Sequence, residues 1–334
     1  MLIGLSALSF SFRCGLIGRG TDRLVSAPLD VDALMSLATR AGLQSIEFPL
    51  SMLPDLTAAR LTPLRERLAL YGLTPVVDTD IADVGTLQEH IPAAAQIGAR
   101  VLRVLVSPVL EGARHALPGR LGAQLERTID VLCQVRPLAE AHGVTLAVEN
   151  HQDATSADLI AICEAVGGPN IAVTFDLTNA LAVAQYPPDA LQHLAPYICN
   201  IHLSDYLAYP TPFGYRMVRC ALGEGDHNFR HIFEIIGQLP REVTCQIELV
   251  AHSARHIRML TPEWWEGYGP TDIRALLPAL RLVVENIRSN AEDWRSPWER
   301  GANEATVAFY EDQQFAASVS FLRAIGVLPR VQPG

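Results

Sequence analysis

Eight times along the chain a short apolar run is followed by a longer amphipathic segment, and glycines such as Gly42, Gly72, Gly98 and Gly143 close several of those segments. Parallel strands cannot be joined by tight turns and need helical crossovers, so this alternation restricts the fold to a parallel α/β sheet, open or closed. The expected strands are Ile3–Phe10, Gln44–Phe48, Leu73–Val77, Val101–Val106, Val144–Glu149, Ile171–Phe175, Ile198–Leu203 and Val243–Leu249. Helices are expected between them, from Asp30–Ala41 to a last barrel helix at Thr271–Asn290, with Asp30 and Ser156 as N-caps. An open doubly wound sheet announces itself with a glycine-rich turn after the first strand, and Phe10-Ser11-Phe12-Arg13 is no such turn. The expected class is therefore α/β, a (β/α)8 TIM barrel over residues 1–294. A C-terminal helical extension over 295–334, with a helix at Asn303–Ile325, is expected to serve packing or oligomerisation.

Composition narrows the function classes. The net charge of −10 argues against a nucleic-acid or anionic-membrane surface, and the absence of lysine excludes Schiff-base chemistry. Six cysteines without a CxxC pair, several within apolar runs, read as buried thiols of a reducing compartment. Met1-Leu2-Ile3-Gly4-Leu5-Ser6 has no basic residue before its apolar stretch and reads as a first strand rather than a leader, so a cytoplasmic location is expected. No uncharged apolar run reaches the ~18 residues that a membrane span requires.

Chemistry gathers at strand ends. The fifth strand runs Val144-Thr145-Leu146-Ala147-Val148 and ends in Glu149-Asn150-His151, where turn residues would be ordinary. The sixth ends in Phe175-Asp176, the seventh carries Asn200-Ile201-His202-Leu203-Ser204-Asp205, and the eighth is Cys245-Gln246-Ile247-Glu248-Leu249. In a barrel these ends share one mouth. Three carboxylates converging beside an imidazole are unfavourable without compensation, because like charges oppose one another's ionisation and a cation between them removes that problem. Glu149, Asp176, His202 and Glu248 are thus expected to hold one divalent metal. The oxygen-dominated set suits Mn²⁺ or Mg²⁺, with Co²⁺ or Zn²⁺ as alternatives. A metal on a carbonyl and its neighbouring hydroxyl favours loss of a proton from the adjacent carbon, with Glu149 and Glu248 as the acid–base pair. His151 is a third catalytic candidate.

The ordered set ENH, FDLTN, NIHLSD and IEL resembles the xylose-isomerase-like TIM-barrel superfamily of sugar isomerases and epimerases, from the first strand to the last barrel helix. The resemblance implies a metal held by Glu149, Asp176, His202 and Glu248, and in its epimerases proton exchange by the two glutamates. Two departures stand out. Several ketose epimerases carry a histidine where this chain has Asn179, and an amide takes up no proton at neutral pH. Without lysine, the hydride shift of true xylose isomerases loses its helper. The endonuclease-IV branch, with three zinc ions, is disfavoured by the acidic charge and the lack of a basic groove.

The long polar stretch Ser204–Asn228 contains Tyr206, Tyr209, Phe213, Tyr215, Arg216 and Arg219, followed by Gly223-Glu224-Gly225-Asp226-His227. Candidate substrate contacts are Asn179, Asp205, Arg216, Arg219, His227 and Arg103, whose guanidinium suits a carboxylate or phosphate if it points inward. The leading expectation is metal-dependent enolisation of a small sugar or keto-sugar by an isomerase or epimerase, in a homo-oligomer. One alternative is a lyase of the same superfamily: an oxo-sugar-acid decarboxylase, or a 3-oxo-C-glycoside deglycosidase subunit in a hetero-oligomer. A non-catalytic sugar-binding barrel is the alternative from another class.

Overall fold

A computed structural model describes residues 1–81, 83–117, 120–291 and 293–329 of the chain. The strands, in order, are β1 (Leu2–Ser6), β2 (Ser45–Pro49), β3 (Thr74–Ile81), β4 (Val101–Leu105), β5 (Thr145–Glu149), β6 (Ile171–Asp176) and β7 (Ile198–Leu203). An antiparallel hairpin follows, β8 (Asp205–Thr211) and β9 (Gly214–Cys220), then β10 (Thr244–Ile247) and the short β11 (Arg255–Ile257). Strands β1 to β7 and β10 close into one parallel barrel, with β10 between β7 and β1. The hairpin and β11 form a separate three-stranded sheet in the order β11-β9-β8. The stretch Ser204–Asn228, expected as a long loop, is mostly this sheet. Tyr206 and Ala208 of β8 and Tyr215 and Met217 of β9 recur every second residue and face one apolar cluster, the period of a strand.

The helices are α1 (Val31–Ala41), α2 (Ala58–Leu70), α3 (Val84–Ile97), α4 (Arg120–His142), α5 (Ser156–Val166), α6 (Asn179–Ala182), α7 (Pro187–Leu194), α8 (Phe229–Ile236), α9 (Ile273–Asn286) and α10 (Glu304–Ala324). In α1 the Asp30 side chain accepts from the Ala33 N–H, and Val31, Leu34, Met35 and Ala38 form the buried stripe. Gly42 ends that helix in the left-handed region at φ 74°. The N-cap of α5 is Thr155, one residue before the expected Ser156, in a reciprocal capping box with Asp158. Strand β1 ends at Ser6, and residues expected to extend it, Ala7–Phe10, form a 3-10 turn.

The C-terminal helical extension is present as expected, and two details of its packing differ. Helix α9 does not cover the barrel; its Leu276, Ala279 and Val283 pack with Tyr206, Tyr215, Met217 and Trp264 under the three-stranded sheet. Helix α10, expected as an appendage, contributes Phe315, Val319 and Leu322 to the main core. Phe315 meets Phe10 edge-on at 5.3 Å, Phe321 meets Phe229 of α8 at 5.4 Å, and Arg323 caps the Ala41 carbonyl of α1 at 2.7 Å. The tail helix therefore sits in the ring between α8 and α1. One core spans both sides of residue 294; residues 330–334 of the expected extension lie outside the described residues.

Asp205 organises the return from the inserted sheet. Its fully buried carboxylate accepts from the backbone N–H groups of Tyr206 at 3.0 Å, Gly223 at 2.9 Å, Gly225 at 3.0 Å and His227 at 3.2 Å. A Cβ on Gly225 would lie 2.3 Å from an Asp205 oxygen, so only glycine allows this approach. Replacing Asp205 by alanine leaves several donors without an acceptor, each costing about 1–3 kcal/mol when buried. Urea denaturation of Asp205→Ala is expected to show a loss of at least about 2 kcal/mol, and Asp205→Asn, with one acceptor oxygen instead of two, a smaller one.

Candidate metal centre and its pocket

The barrel registers bring the four expected ligands to one place. Asp176 stands directly opposite His202 across β6 and β7, and Gln246 of β10 is the register partner of His202. Glu248 follows Gln246 by two residues and so returns to the barrel interior, while Glu149 ends β5 beside β6. Glu149, Asp176, His202 and Glu248 are all buried, and each offers one ligand atom within 4.8 Å of the others.

The donor set fits a divalent cation. His202 Nε2 faces the Glu47 carboxylate at 2.9 Å, which fixes the ring. Nδ1 then points into the cluster, 3.3 Å from Glu248 and 3.6 Å from Glu149, buried and without a hydrogen-bond partner among the described residues. A carboxylate behind the imidazole of a metal-binding histidine is the usual way to orient such a ring. Asp176 accepts from the Asn179 N–H at 2.8 Å and Ser204 Oγ at 3.0 Å, and its second oxygen faces Arg219 at 3.3 Å. The amide of Asn150 holds the backbone N–H and C=O of Asp176 at 2.6 and 2.9 Å.

Beneath the cluster lies a buried ionic network that motif reading did not assign. Arg103 donates to Glu149 at 2.8 Å and stands 3.2 Å from Asp78 and 3.8 Å from Glu47. Burial pushes Glu149 up, but Arg103 and His202 outweigh it and hold the carboxyl well below its usual range. Burial depresses His202, yet Glu248 and Glu47 raise it well above its ordinary value. Burial pushes Asp78 up to about 8 against the pull of Arg103. The available signal was a lone charge inside an apolar strand, as in Ser45-Ile46-Glu47-Phe48 and Val76-Val77-Asp78.

Above the cluster a cavity of about 210 Å³ is lined by Glu149, His151, Asn179, Arg219, Glu248 and Arg255, among others. His151 lines it with a buried Nδ1 that has no hydrogen-bond partner among the described residues. Asn179 bridges Glu149 at 3.2 Å and Arg219 at 3.0 Å. Arg103 reaches the cavity, but its guanidinium is engaged by the network below. Three expected contacts lie elsewhere. Arg216 is three positions from Arg219 on one strand, faces the opposite side and stacks on Trp294 at 3.7 Å. Asp205 holds the backbone as described. His227 packs edge-on against Tyr206 at 5.0 Å with Nε2 near Thr178 at 3.4 Å.

His227 supplies a pH prediction. Burial, helped by Arg219, lowers its pKa from 6.5 to about 3. The folded state therefore binds fewer protons than the unfolded one, so this contribution is full above the unfolded value of about 6.5 and is lost as pH falls towards 3. At ~1.4 kcal/mol per unit, about 2 kcal/mol disappears between pH 7 and pH 5. The urea stability of His227→Gln is expected to fall less steeply over that interval than that of the wild type.

Comparison with known proteins agrees with this geometry. The model of the family described as xylose isomerase-like TIM barrel matches residues 35–266. The 3-oxo-isoapionate decarboxylase of Pectobacterium atrosepticum is 22% identical over 283 residues, covering 78% of this chain and 97% of that protein. The uncharacterized protein YihM of Escherichia coli is 27% identical over 154 residues, and that match spans only 46% of this chain and 44% of YihM. Among solved structures, D-psicose 3-epimerase from Clostridium cellulolyticum H10 superposes with a TM-score of 0.63 at 13% identity, covering 96% of this chain and 99% of that one. No described helix is long and apolar enough to cross a membrane. A closed eight-stranded barrel, a four-donor cluster at its mouth and a family match over most of the length lead to one conclusion: the chain belongs to the xylose-isomerase-like TIM-barrel family.

Proposed function

We propose that this protein is a divalent-metal-dependent enzyme that removes a proton from the carbon next to the carbonyl of a small sugar-derived substrate. The observation that carries the reading is the buried cluster of Glu149, Asp176, His202 and Glu248 opening into a cavity of about 210 Å³. A non-catalytic sugar-binding barrel would call for a dispersed ligand set. A cation held there supplies Lewis-acid polarisation of a carbonyl, with Mn²⁺ or Mg²⁺ favoured by the oxygen-rich donors.

The side chains divide the remaining work. One oxygen of Glu149 is held by Arg103 and the other by Asn179, so it acts as a fixed anchor rather than a mobile base. Among the described residues Glu248 accepts one hydrogen bond, from Ser6 at 3.1 Å, and it lines the cavity, so it is the carboxylate given the substrate proton. His151, which also lines the cavity, is the group assigned to return a proton in this reading. Val250 and Gln152, both cavity-lining, hold φ values of 45° and 101°, backbone strain of the kind that accompanies tightly positioned sites.

The same pocket supports a second reading, decarboxylation of an oxo-acid. The match to the 3-oxo-isoapionate decarboxylase over 97% of that protein favours it. Both readings share the enolising step and differ in whether the bond to hydrogen or to a carboxyl carbon breaks. The test is solvent-deuterium uptake by ketoses and keto-sugar acids, followed by mass spectrometry and carbon dioxide detection. Chelator-treated protein is expected to be inactive and to recover with Mn²⁺. Equal turnover with and without metal would sink the proposal.

A further inference from the structure

The roof of the pocket is built by the inserted sheet, and its inward face carries two arginines. Arg255 of β11 stands opposite Met217 of β9, and Arg219 follows Met217 by two residues. Opposed residues of an antiparallel pair share a face, as do residues two apart, so Arg255 and Arg219 are diagonal neighbours on one face. Both line the cavity above Glu149 and Glu248.

Their charges are unequally matched. Arg219 faces Asp176 at 3.3 Å and Asn179 at 3.0 Å. Arg255 makes no ion pair and donates no side-chain hydrogen bond among the described residues. The nearby carboxylates are already engaged. Glu111 accepts from the His256 N–H at 2.9 Å and Arg258 at 3.0 Å, and Glu299 from the N–H groups of Ala254 at 3.1 Å and Ser296 at 3.0 Å. Burial and the neighbouring Arg219 lower the pKa of Arg255, and the more distant charges of Glu111 and Glu299 offset this only in part. His252, close to both, keeps a buried Nδ1 without a hydrogen-bond partner among the described residues.

We infer that Arg255, with Arg219 beside it, forms an anion subsite on the roof that binds a carboxylate of the substrate remote from its reacting carbonyl. The substrate class is then a keto-sugar acid rather than a neutral ketose. The inference rests on the proposed function for the position of the reacting carbonyl. A guanidinium pair suits the planar, bidentate carboxylate, and phosphate shares that chemistry.

The test is binding by calorimetry to the Mn²⁺-loaded protein, using ketoses that differ only at the far carbon. The probes are fructose and tagatose, their 6-carboxylates fructuronate and tagaturonate, and fructose 6-phosphate. At least one carboxylate is expected to bind about tenfold or more tighter than its parent ketose and tighter than the phosphate. Arg255→Gln is expected to abolish that advantage, Arg255→Lys to keep part of it, and Arg216→Gln, on the outer face of the same sheet, to keep all of it. Thermal melts and metal content identify a variant that has failed to fold, and the lysine variant then decides. No carboxylate preference in any pair, a preference that survives Arg255→Gln, or a stronger phosphate than carboxylate overturns the inference. None of these outcomes touches the proposed function, which is judged by metal-dependent deuterium uptake alone.

Discussion

Glu248→Gln is expected to lower turnover by between about a hundredfold and ten-thousandfold, the range that positioned acid–base groups supply. Glutamine preserves the shape of the side chain and one ligand oxygen, while Glu149, Asp176 and His202 remain in place. Metal content at saturating Mn²⁺ is therefore expected to stay near that of the wild type, with weaker affinity. The decisive readout is solvent-deuterium uptake by the substrate at full metal occupancy. If uptake continues undiminished with the metal bound, another group carries the proton and the role given to Glu248 is wrong. Glu149→Gln should behave differently. Its carboxylate answers Arg103 and Asn179, so the main expected effects are on metal affinity and stability.

Arg103→Leu carries the largest expected effect on stability. The guanidinium is almost wholly buried and stands among Glu149, Asp78 and Glu47, themselves buried. Removing one partner of a buried ionic network leaves uncompensated charge, which typically costs about 3–5 kcal/mol. Urea denaturation of the metal-free variant is expected to show a loss of that order. Mn²⁺ should restore part of it, because a cation at the cluster neutralises Glu149 from above and binds only the folded state. Asp78→Asn should cost far less, since burial already pushes that carboxyl up to about 8 and removes its charge near neutrality. A wild-type-like denaturation midpoint for Arg103→Leu without metal would show that the network does not depend on it.

The two effects differ in how legible they were. Glu149, Asp176, His202 and Glu248 stood out because each sits at or near the end of an apolar strand, and strand order alone assigns such ends to one mouth. Glu47 and Asp78 lay in strands of the same kind, without a neighbouring motif to single them out. Arg216 and Arg219 were grouped by proximity in sequence, although three positions on a strand put them on opposite faces. Asp205 and His227 were chosen by residue type. One organises backbone amides and the other packs among aromatic rings, and nothing local distinguishes those roles from substrate contact. Arg255 had no local signal, because its three-residue strand exists only where β9 offers an edge.

By itself the sequence determined the barrel, the family and the four-donor cluster, since each follows from a local period or from strand order. The tertiary structure decided which helix completes the ring and which arginines face the pocket. It also decided which carboxylates are engaged beneath the four-donor cluster. Those are relations between residues far apart in the chain, such as Glu47 with His202, Arg103 with Glu149 and Arg255 with Met217. Local pattern carries the direction of a side chain within its own element, but a partner on another element is assigned only when the chain closes around both.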